Sequence, residues 1–216
     1  MLTHEYSFFF ILKGTMSLSP TTELEAVNIM LSVIGEQPVL NINDLAGLQD
    51  ASIARDILRN VSRSVQSKGW IFNTDKKVTL KPNSSGIIAL QSNVLRIDST
   101  SLVRNATVDV VERGRKLYDR QSNSFIFDSP VEVDVVSFLD FDSLPEPAKR
   151  FITLRASRMF HDRVVGSSTL HAFYADDEQM AWQELQEYEG EMSDYNIFDS
   201  YDTYRVIDRN VITSIL

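Results

Sequence analysis

The chain has 216 residues, of which 43% are hydrophobic and 24% are charged. This composition is ordinary for a globular protein and supplies one good core or two small ones, so disorder throughout the chain is excluded. There is no cysteine, which excludes disulfide frameworks and thiolate metal sites and favours assembly in a reducing cytoplasm. The formal net charge is −9, so the protein is moderately acidic.

The negative charge is concentrated near the end of the sequence. Residues 176–202 include ten acidic residues and no Lys or Arg. Removing their −10 from the total of −9 leaves +1 for the rest of the chain. A block of this kind is typical of a solvated face or an interaction tail, and it argues against static binding of phosphate by this segment.

Residues 1–15 are interpreted as an N-terminal extension. Its apolar run at residues 7–12 is far shorter than the roughly 20 residues that span a bilayer, and His4 and Glu5 are not the basic flank of a signal peptide. We therefore expect no membrane segment. Two natural starts stay open. Met1 would give an extension that docks onto a neighbour, whereas Met16 follows codons for Lys13 and Gly14 that would resemble a ribosome-binding site.

Helical signals appear in two separate parts of the chain. Ser19 as N-cap and Pro20 as first helical residue predict a first helix over about 20–34. Apolar spacing of three and four residues, including Ile53, predicts a second helix that ends at Gly69. The same spacing predicts a third helix over about 146–164 and a fourth over about 168–191. The side chains expected to face inward from the fourth helix are Leu170, Phe173, Tyr174, Ala181, Leu185 and Tyr188.

Between the second and third helices, the apolar period changes to two. Residues 70–74 and 78–81 flank polar Asp75 and Lys76, which predicts a hairpin. Other short strands are expected at about 87–90, 94–97, 107–111, 116–118, 125–127 and 131–135. The region should therefore form antiparallel β-structure.

Together these elements predict an α+β fold with extended terminal arms. A four-helix bundle, residues 16–69 and 145–192, is interrupted by an inserted antiparallel β domain at residues 70–144. Residues 193–216 mix aromatic and polar side chains without a clear period, and they are interpreted as a C-terminal arm.

The sequence offers little for catalysis. Its glycines form no phosphate-binding loop and its histidines show no metal-binding spacing, so we predict no cofactor and no metal site. His161 is expected on a helix surface or at an interface. Glu184 with Glu187, and Glu187 with Glu191, share a helix face and in principle provide the acid and base of glycoside cleavage. Because exposed helical glutamates are far commoner, we predict no catalytic residue.

Basic residues form the other candidate sites. Arg55, Arg59 and Arg63 recur on the second helix, and basic residues also outnumber acidic ones on the third. We expect both stripes to face the acidic residues 176–202, within a subunit or between neighbours, while contact with DNA is the alternative. A turn segment carries four further positive charges, at Arg113, Arg115, Lys116 and Arg120. It is either an ordinary hairpin or a docking tip for an acidic partner ring.

Five short motifs occur in order along the chain. Residues 34–39 read Ile-Gly-Glu-Gln-Pro-Val and residues 69–73 read Gly-Trp-Ile-Phe-Asn. Three more motifs lie at residues 113–129, 144–166 and 187–196. Together they resemble the tail tubular protein A family, and the resemblance extends from about Met16 to about Asp199.

Members of this family are head-to-tail adaptors of short-tailed bacteriophages. The resemblance implies a structural protein of the virion tail, not an enzyme, and it offers no catalytic residue to transfer. It also implies a ring of twelve identical subunits between the portal protein and the tail nozzle protein. Double-stranded DNA would cross the channel of that ring during ejection without binding specifically.

Two sets of residues are candidates for contacts in such a ring. The candidate partner interface comprises Arg113, Arg115, Lys116, Arg120, Phe198, Tyr201, Tyr204 and Ile207. The candidate lumen or inter-subunit seam comprises Glu184, Glu187, Glu191 and Asp194, because an acidic lumen repels phosphates and lets DNA slide. A virion-associated glycan hydrolase and a DNA-binding module are the alternative functions.

Overall fold

The computed structural model describes residues 21–43, 45, 47–99 and 109–193, and for residues 168–170 it describes the backbone alone. Several residues singled out from the sequence lie outside the described part of the chain: Ser19, Pro20, Asp194, Phe198, Tyr201, Tyr204 and Ile207. The same holds for the predicted N-terminal extension and C-terminal arm.

The described residues form four α-helices: α1 (Glu23–Val33), α2 (Gln49–Gln66), α3 (Glu146–Val164) and α4 (Ser168–Met192). The last two agree closely with their predicted ranges. The predicted cap of α1 is wrong, because Thr22 takes this role in place of Ser19. The Thr22 hydroxyl accepts a hydrogen bond from Glu25 N, and the Glu25 carboxylate accepts one from Thr22 N at 2.9 Å. This reciprocal capping box satisfies two donors at the start of the helix.

Five strands form two small antiparallel sheets: β1 (Thr74–Leu80), β2 (Val94–Ser99), β3 (Val110–Arg113), β4 (Lys116–Asp119) and β5 (Val131–Ser137). In the larger sheet, β5 lies between β1 and β2, and the smaller sheet is the β3–β4 hairpin. The predicted α+β class is confirmed. Two of the expected strands, at residues 87–90 and 125–127, are reduced to isolated bridges such as Ile87 with Ile126.

The predicted hairpin turn at Asp75 and Lys76 is wrong. Both residues lie within β1, which pairs with β5 on both sides of a bulge. The register shifts between Asp75 and Val78, where Lys77 has φ of 57°. A bulge of this kind interrupts the alternation of side chains and produces the polar gap that resembled a turn. Residues 71–73 form a short 3-10 helix instead of the start of a strand.

Helix α3 is the centre of the helical region. It packs against α1, α2 and α4, whereas among the described helices the extensive contacts of α4 are with α3. The arrangement is therefore more open than the predicted four-helix bundle, with α4 lying on one side of a three-helix group. Its core is apolar and fully enclosed, as shown by the exposed fractions of 0–1% for Met30, Leu58, Ile152, Phe160 and Leu185.

Side chains of α4 follow the inward prediction only in part. Ala181 and Leu185 are completely buried, as predicted, whereas Phe173 is 64% exposed. Phe173 lies about 120° around the helix from Leu185, at about 100° per residue. Because α4 packs on a single helix, it buries only a narrow stripe, and Phe173 falls outside it. Ile53 of α2 is likewise exposed on the outer face.

His161 is completely buried, so its predicted surface position is wrong. It lies on α3 with its ring 5.3 Å from the Tyr174 ring of α4, in an edge-on arrangement. Within the part of the chain that the structure describes, neither ring nitrogen has a hydrogen-bond partner. The burial follows from the central place of α3, which is covered by other helices around most of its circumference.

A polar junction connects the helices to the larger sheet. Gly69 follows α2 with φ of 78°, the left-handed conformation that its helix-terminating position predicts. The Gln66 side chain accepts a hydrogen bond from Leu139 N at 2.8 Å and donates one to Leu139 O at 3.0 Å. Asn73 donates to Gln66 O and to Ser137 O, both at 2.9 Å. These buried amides fix the orientation of the sheet relative to α2.

Helix α4 reaches the same junction. Trp182 contacts the Trp70 ring edge-on at a centroid distance of 5.4 Å and the Phe151 ring at 5.0 Å. The Glu189 carboxylate accepts a hydrogen bond from Ile71 N at 2.9 Å. The C-terminal half of α4 is thereby anchored against the short 3-10 helix. None of the described helices is long and apolar enough to cross a membrane.

Candidate partner interfaces

The β3–β4 hairpin gathers three of the predicted interface residues. Its two turn residues, Gly114 and Arg115, both have positive φ, at 59° and 62°. This is the backbone of a type I′ turn, whose twist matches that of the strands. Arg113 and Lys116 are paired across the turn, so the positive charges of residues 113, 115 and 116 lie together at one tip. Arg120 lies just past the other end of β4.

Most of these charges also have partners within the domain. Arg115 donates to Val94 O at 2.9 Å and to Ser92 O, which fastens the hairpin to the start of β2. The Arg113 guanidinium lies 3.8 Å from the centre of the Tyr118 ring. The guanidinium of Arg120 lies 3.5 Å from the Asp109 carboxylate.

Lys116 differs from the other three charges. Among the described residues, it is the member of this set whose side chain has no ion-pair, hydrogen-bond or aromatic-ring partner. The hairpin therefore combines a fixed scaffold with one free ammonium group at its tip.

The acidic residues of α4 separate into an inner and an outer group. Glu178 is inner, with 12% of its side chain exposed, and it accepts a hydrogen bond from Arg158 Nε at 2.6 Å and another from Arg155 at 3.2 Å. The Glu178 hydrogen bond raises the pKa of Arg158 above its ordinary value. The predicted contact between the basic stripe of α3 and the acidic residues 176–202 is therefore confirmed within one subunit.

The outer group contains the predicted lumen or seam residues. Glu184, Glu187 and Glu191 follow at spacings of three and four residues, so they share one exposed face of α4. Glu184 lies 3.4 Å from Arg150 of α3. Within the described part of the chain, Glu187 and Glu191 have no cationic partner, and they present uncompensated negative charge to the exterior.

Within one subunit, the basic stripe of α2 does not face the acidic block, so that part of the prediction is wrong, while contact between neighbouring subunits stays a prediction. Arg59 pairs with Glu23 of α1 at 2.7 Å, and this hydrogen bond raises the pKa of Arg59. Arg55 donates to Ile42 O at 3.3 Å. Arg63 lies over the Phe138 ring at 5.9 Å. The reason is topological: α1 and the segment leading into α3 lie beside this face of α2, whereas α4 lies on the far side of α3.

The glutamates singled out from the sequence do not form the arrangement that glycoside cleavage requires. A working acid needs an apolar surrounding that raises its pKa, and Glu184, Glu187 and Glu191 are all exposed. A cavity of about 400 Å³ beside α2 is lined by Glu23, Asp140 and Asp142, together with Arg59 and Arg63. Glu23 is bound by Arg59 there. No group of potential metal ligands occurs among the described residues.

Two surface features were missed by the sequence interpretation. Phe173 and Met180 lie on an exposed face of α4 with Asp177 between them, and Ile29 of α1 is 44% exposed nearby. In the sequence, the exposed face of α4 corresponds to two apolar residues seven positions apart with an acidic residue between them. Phe173 was predicted to face the core because it is large and apolar.

Comparison with known proteins identifies the class. The sequence profile of the family described as "Tail tubular protein" matches residues 24–195. "Tail tubular protein A" of Klebsiella phage KP34 is 31% identical over 154 residues, which cover 71% of this chain and 78% of that protein. These findings define a structural component of the virion tail. The chain belongs to the tail tubular protein family, as its five motifs indicated.

Proposed function

We propose that this protein forms a ring of twelve subunits that joins the portal protein to the tail nozzle protein and encloses part of the DNA ejection channel. The observation that carries the proposal is the match of residues 24–195 to the tail tubular protein family. The role is structural, and no catalytic residue is assigned.

The outer acidic face of α4 suits a channel through which DNA passes. Glu187 and Glu191 carry uncompensated charge, and Glu184 extends the same face. Twelve copies with a net charge of −9 each would carry roughly −108. Like charges on the wall and on the DNA backbone disfavour adhesion, so the duplex slides. We therefore assign this face, with Asp194 beyond it, to the lumen or to an inter-subunit seam.

The two remaining candidate surfaces are assigned to the neighbouring rings. The tip of the β3–β4 hairpin presents Lys116 on a rigid scaffold, which suits contact with an acidic partner. The C-terminal segment offers four apolar or aromatic side chains for contact with a neighbouring ring: Phe198, Tyr201, Tyr204 and Ile207.

A measurement of mass in solution tests the proposal. The purified protein is measured alone and then after mixing with portal rings. We expect a portal-bound complex that contains twelve copies of this chain. A protein that shows no affinity for portal rings would overturn the proposal.

Replacement of Glu187 and Glu191 by Lys tests the lumen assignment separately. The variant should still assemble, but ejection of DNA should slow because the wall now attracts phosphates. Replacement of the exposed loop residue Asp128 by Lys is the matched control. Ejection at the normal rate by the Glu187 and Glu191 variant, in fully assembled particles, would remove these residues from the lumen.

A further inference from the structure

Helices α1 and α4 flank an open groove above α3. The groove has a volume of about 470 Å³ and is lined by Ile29 of α1, Leu154 of α3 and Asp177 of α4. Its α3 wall also contains Glu146 and Arg150, and Arg150 is paired with Glu184 at 3.4 Å. Its α4 wall continues on the same helix face to Phe173 and Met180, which are 64% and 52% exposed. This surface, the α1–α4 groove, therefore combines exposed apolar side chains with an acidic residue that has no cationic partner among those described.

A second hollow lies between α2 and α3. It has a volume of about 150 Å³ and is lined by Ile57 and Asn60 of α2 and by Met159 and Arg163 of α3. Ile53, which is 36% exposed, continues the same face of α2. Arg163 is exposed and has no acidic partner within the described part of the chain. This surface, the α2–α3 hollow, combines apolar side chains with a free positive charge.

The two surfaces lie on nearly opposite sides of the helical region. The groove uses residues 146, 150, 153 and 154 of α3, whereas the hollow uses residues 155, 159 and 163. At about 100° per residue, the centres of these two sets are about 165° apart around the helix. An acidic apolar surface and a basic apolar surface are thus presented in opposite directions by the same subunit.

We propose that the α1–α4 groove of one copy of this chain receives the α2–α3 hollow of the next copy, with Asp177 facing Arg163. The inference rests on the proposed ring and specifies its subunit interface. Two different surfaces that point in opposite directions produce head-to-tail association, which closes into a ring when the rotation per subunit permits. A two-fold dimer would instead require one self-complementary patch.

Charge complementarity favours a second copy over the chain's own N-terminal segment as the occupant. Residues 1–20 lead directly into Thr21, which lines the groove, so this segment is the competing occupant. Its charged residues are Glu5 and Lys13, and it also contains His4. The α2–α3 hollow supplies a matching positive charge and an apolar surface together.

Charge reversal tests the pairing in solution. Asp177→Arg and Arg163→Asp, each alone, should weaken self-association by about tenfold or more, because each places like charges face to face. An equimolar mixture of the two variants should recover association, since every contact then pairs opposite charges. Asp128→Arg and Lys81→Asp are the matched controls and should behave as the unmodified protein. Recovery that stops at dimers would overturn the head-to-tail arrangement.

Cross-linking in assembled tails tests the same interface when the portal and nozzle proteins are present, which is needed if the ring does not form without them. The absence of native cysteine allows Asp177→Cys and Arg163→Cys to be combined without background. Tails that contain this variant are treated with a short bis-maleimide and denatured. A ladder of oligomers beyond the dimer is expected. Tails that contain the protein without this cross-link would overturn the interface alone, whereas absence of the protein from tails would overturn the proposed function as well.

A variant that begins at Met16 tests whether the N-terminal segment, rather than a second copy of the chain, occupies the α1–α4 groove. Its self-association and the cross-linking ladder should match those of the full chain. Loss of association on this truncation, with no effect of Asp177→Arg, would assign the groove to the N-terminal segment and overturn the proposal.

Discussion

The helical region and the β domain are held together in different ways. The helical region has a continuous apolar core in which α3 is covered by three other helices. The β domain has a smaller core around Ile88, Leu117 and Val133. Much of its remaining structure consists of loops that are fixed by side chains bonded to the backbone. The Asn83 side-chain oxygen, for example, accepts from Ser85 N at 2.9 Å and from Ile87 N at 3.0 Å.

This difference shows how one chain combines a stable core in the helical region with loops held in defined positions in the β domain. Apolar burial is roughly proportional to area and does not depend on direction, so the helical core supplies most of the free energy of folding. Hydrogen bonds are directional and contribute about 0.5–1.5 kcal/mol each, so the β domain uses them to place loops. The buried amides of Gln66 and Asn73 couple the two regions.

Truncation of a core residue should give the largest effect. Phe160→Ala should lower the free energy of unfolding by about 3–5 kcal/mol, because it leaves a cavity in the centre of the helical core. Leu117→Ala, the matched change in the β domain, should cost less because the smaller core relaxes around it. Urea denaturation followed by circular dichroism measures both. A larger loss of unfolding free energy in Leu117→Ala than in Phe160→Ala would contradict this comparison of the two cores.

Removal of the junction amide should be the next largest effect. Gln66→Ala leaves both backbone groups of Leu139 without their partner, and each unsatisfied buried group costs about 1–3 kcal/mol. We also expect the sheet and the helices to unfold at different urea concentrations. Gln179→Ala on the exposed face of α4 is the control. Coincident unfolding of both regions in Gln66→Ala would show that the coupling has another source.

The β3–β4 hairpin allows a smaller, local comparison. Arg115→Ala should destabilise the protein by about 1 kcal/mol, because the guanidinium no longer holds Val94 O and Ser92 O. Lys116→Ala should change stability by less than about 0.5 kcal/mol, since this side chain has no partner among the described residues. Thermal denaturation of the two variants measures the contrast. Equal effects would contradict the division into scaffold and free charge.

The smallest effect concerns the pairing of α3 with α4 near Gly166. His171 Nδ1 lies 2.9 Å from the Asp162 carboxylate, and this hydrogen bond, with the charges of His171 and Arg158, lowers the pKa of Asp162. The folded pKa lies below the unfolded value of about 3.9. The contribution to stability is therefore present above that value and is lost as the pH falls through the folded pKa.

Nuclear magnetic resonance titration of Asp162 provides the measurement. In His171→Ala, the pKa of Asp162 should rise toward its ordinary value, and stability should change by less than about 1 kcal/mol because both groups are partly exposed. Ser167→Ala is not a suitable control because Ser167 has interactions of its own. Replacement of the exposed Gln179 by Ala is suitable. An unchanged pKa in His171→Ala would assign the shift to Arg158.

Sequence patterns predicted much of the helical region and little of the β-sheet detail. The ranges of α3 and α4 follow from spacing within each helix, which requires no knowledge of what the helix packs against. The bulge in β1 was mistaken for a turn because both place polar residues between apolar runs. Only the pairing with β5 distinguishes the two.

The candidate sites show the same division between what local sequence spacing predicts and what depends on tertiary packing. The sequence predicted that Arg113, Arg115 and Lys116 lie together, because a two-residue turn brings its flanking residues close. It did not predict that Arg115 is bonded to β2, which depends on how the hairpin packs. The basic stripe of α2 was assigned to the acidic block because opposite charges attract, but α1 is its nearer neighbour in the fold.

The sequence by itself determined the α+β class, the glycine that ends α2 and the membership of the tail tubular protein family, because these depend on local patterns and ordered motifs. The tertiary structure alone decided that His161 is buried, that Phe173 is exposed and that the two charged surfaces point in opposite directions. The physical reason is that burial and charge pairing depend on which helices are neighbours. Here α3 has three neighbouring helices and α4 packs mainly on one, and their own periodicity does not encode that difference.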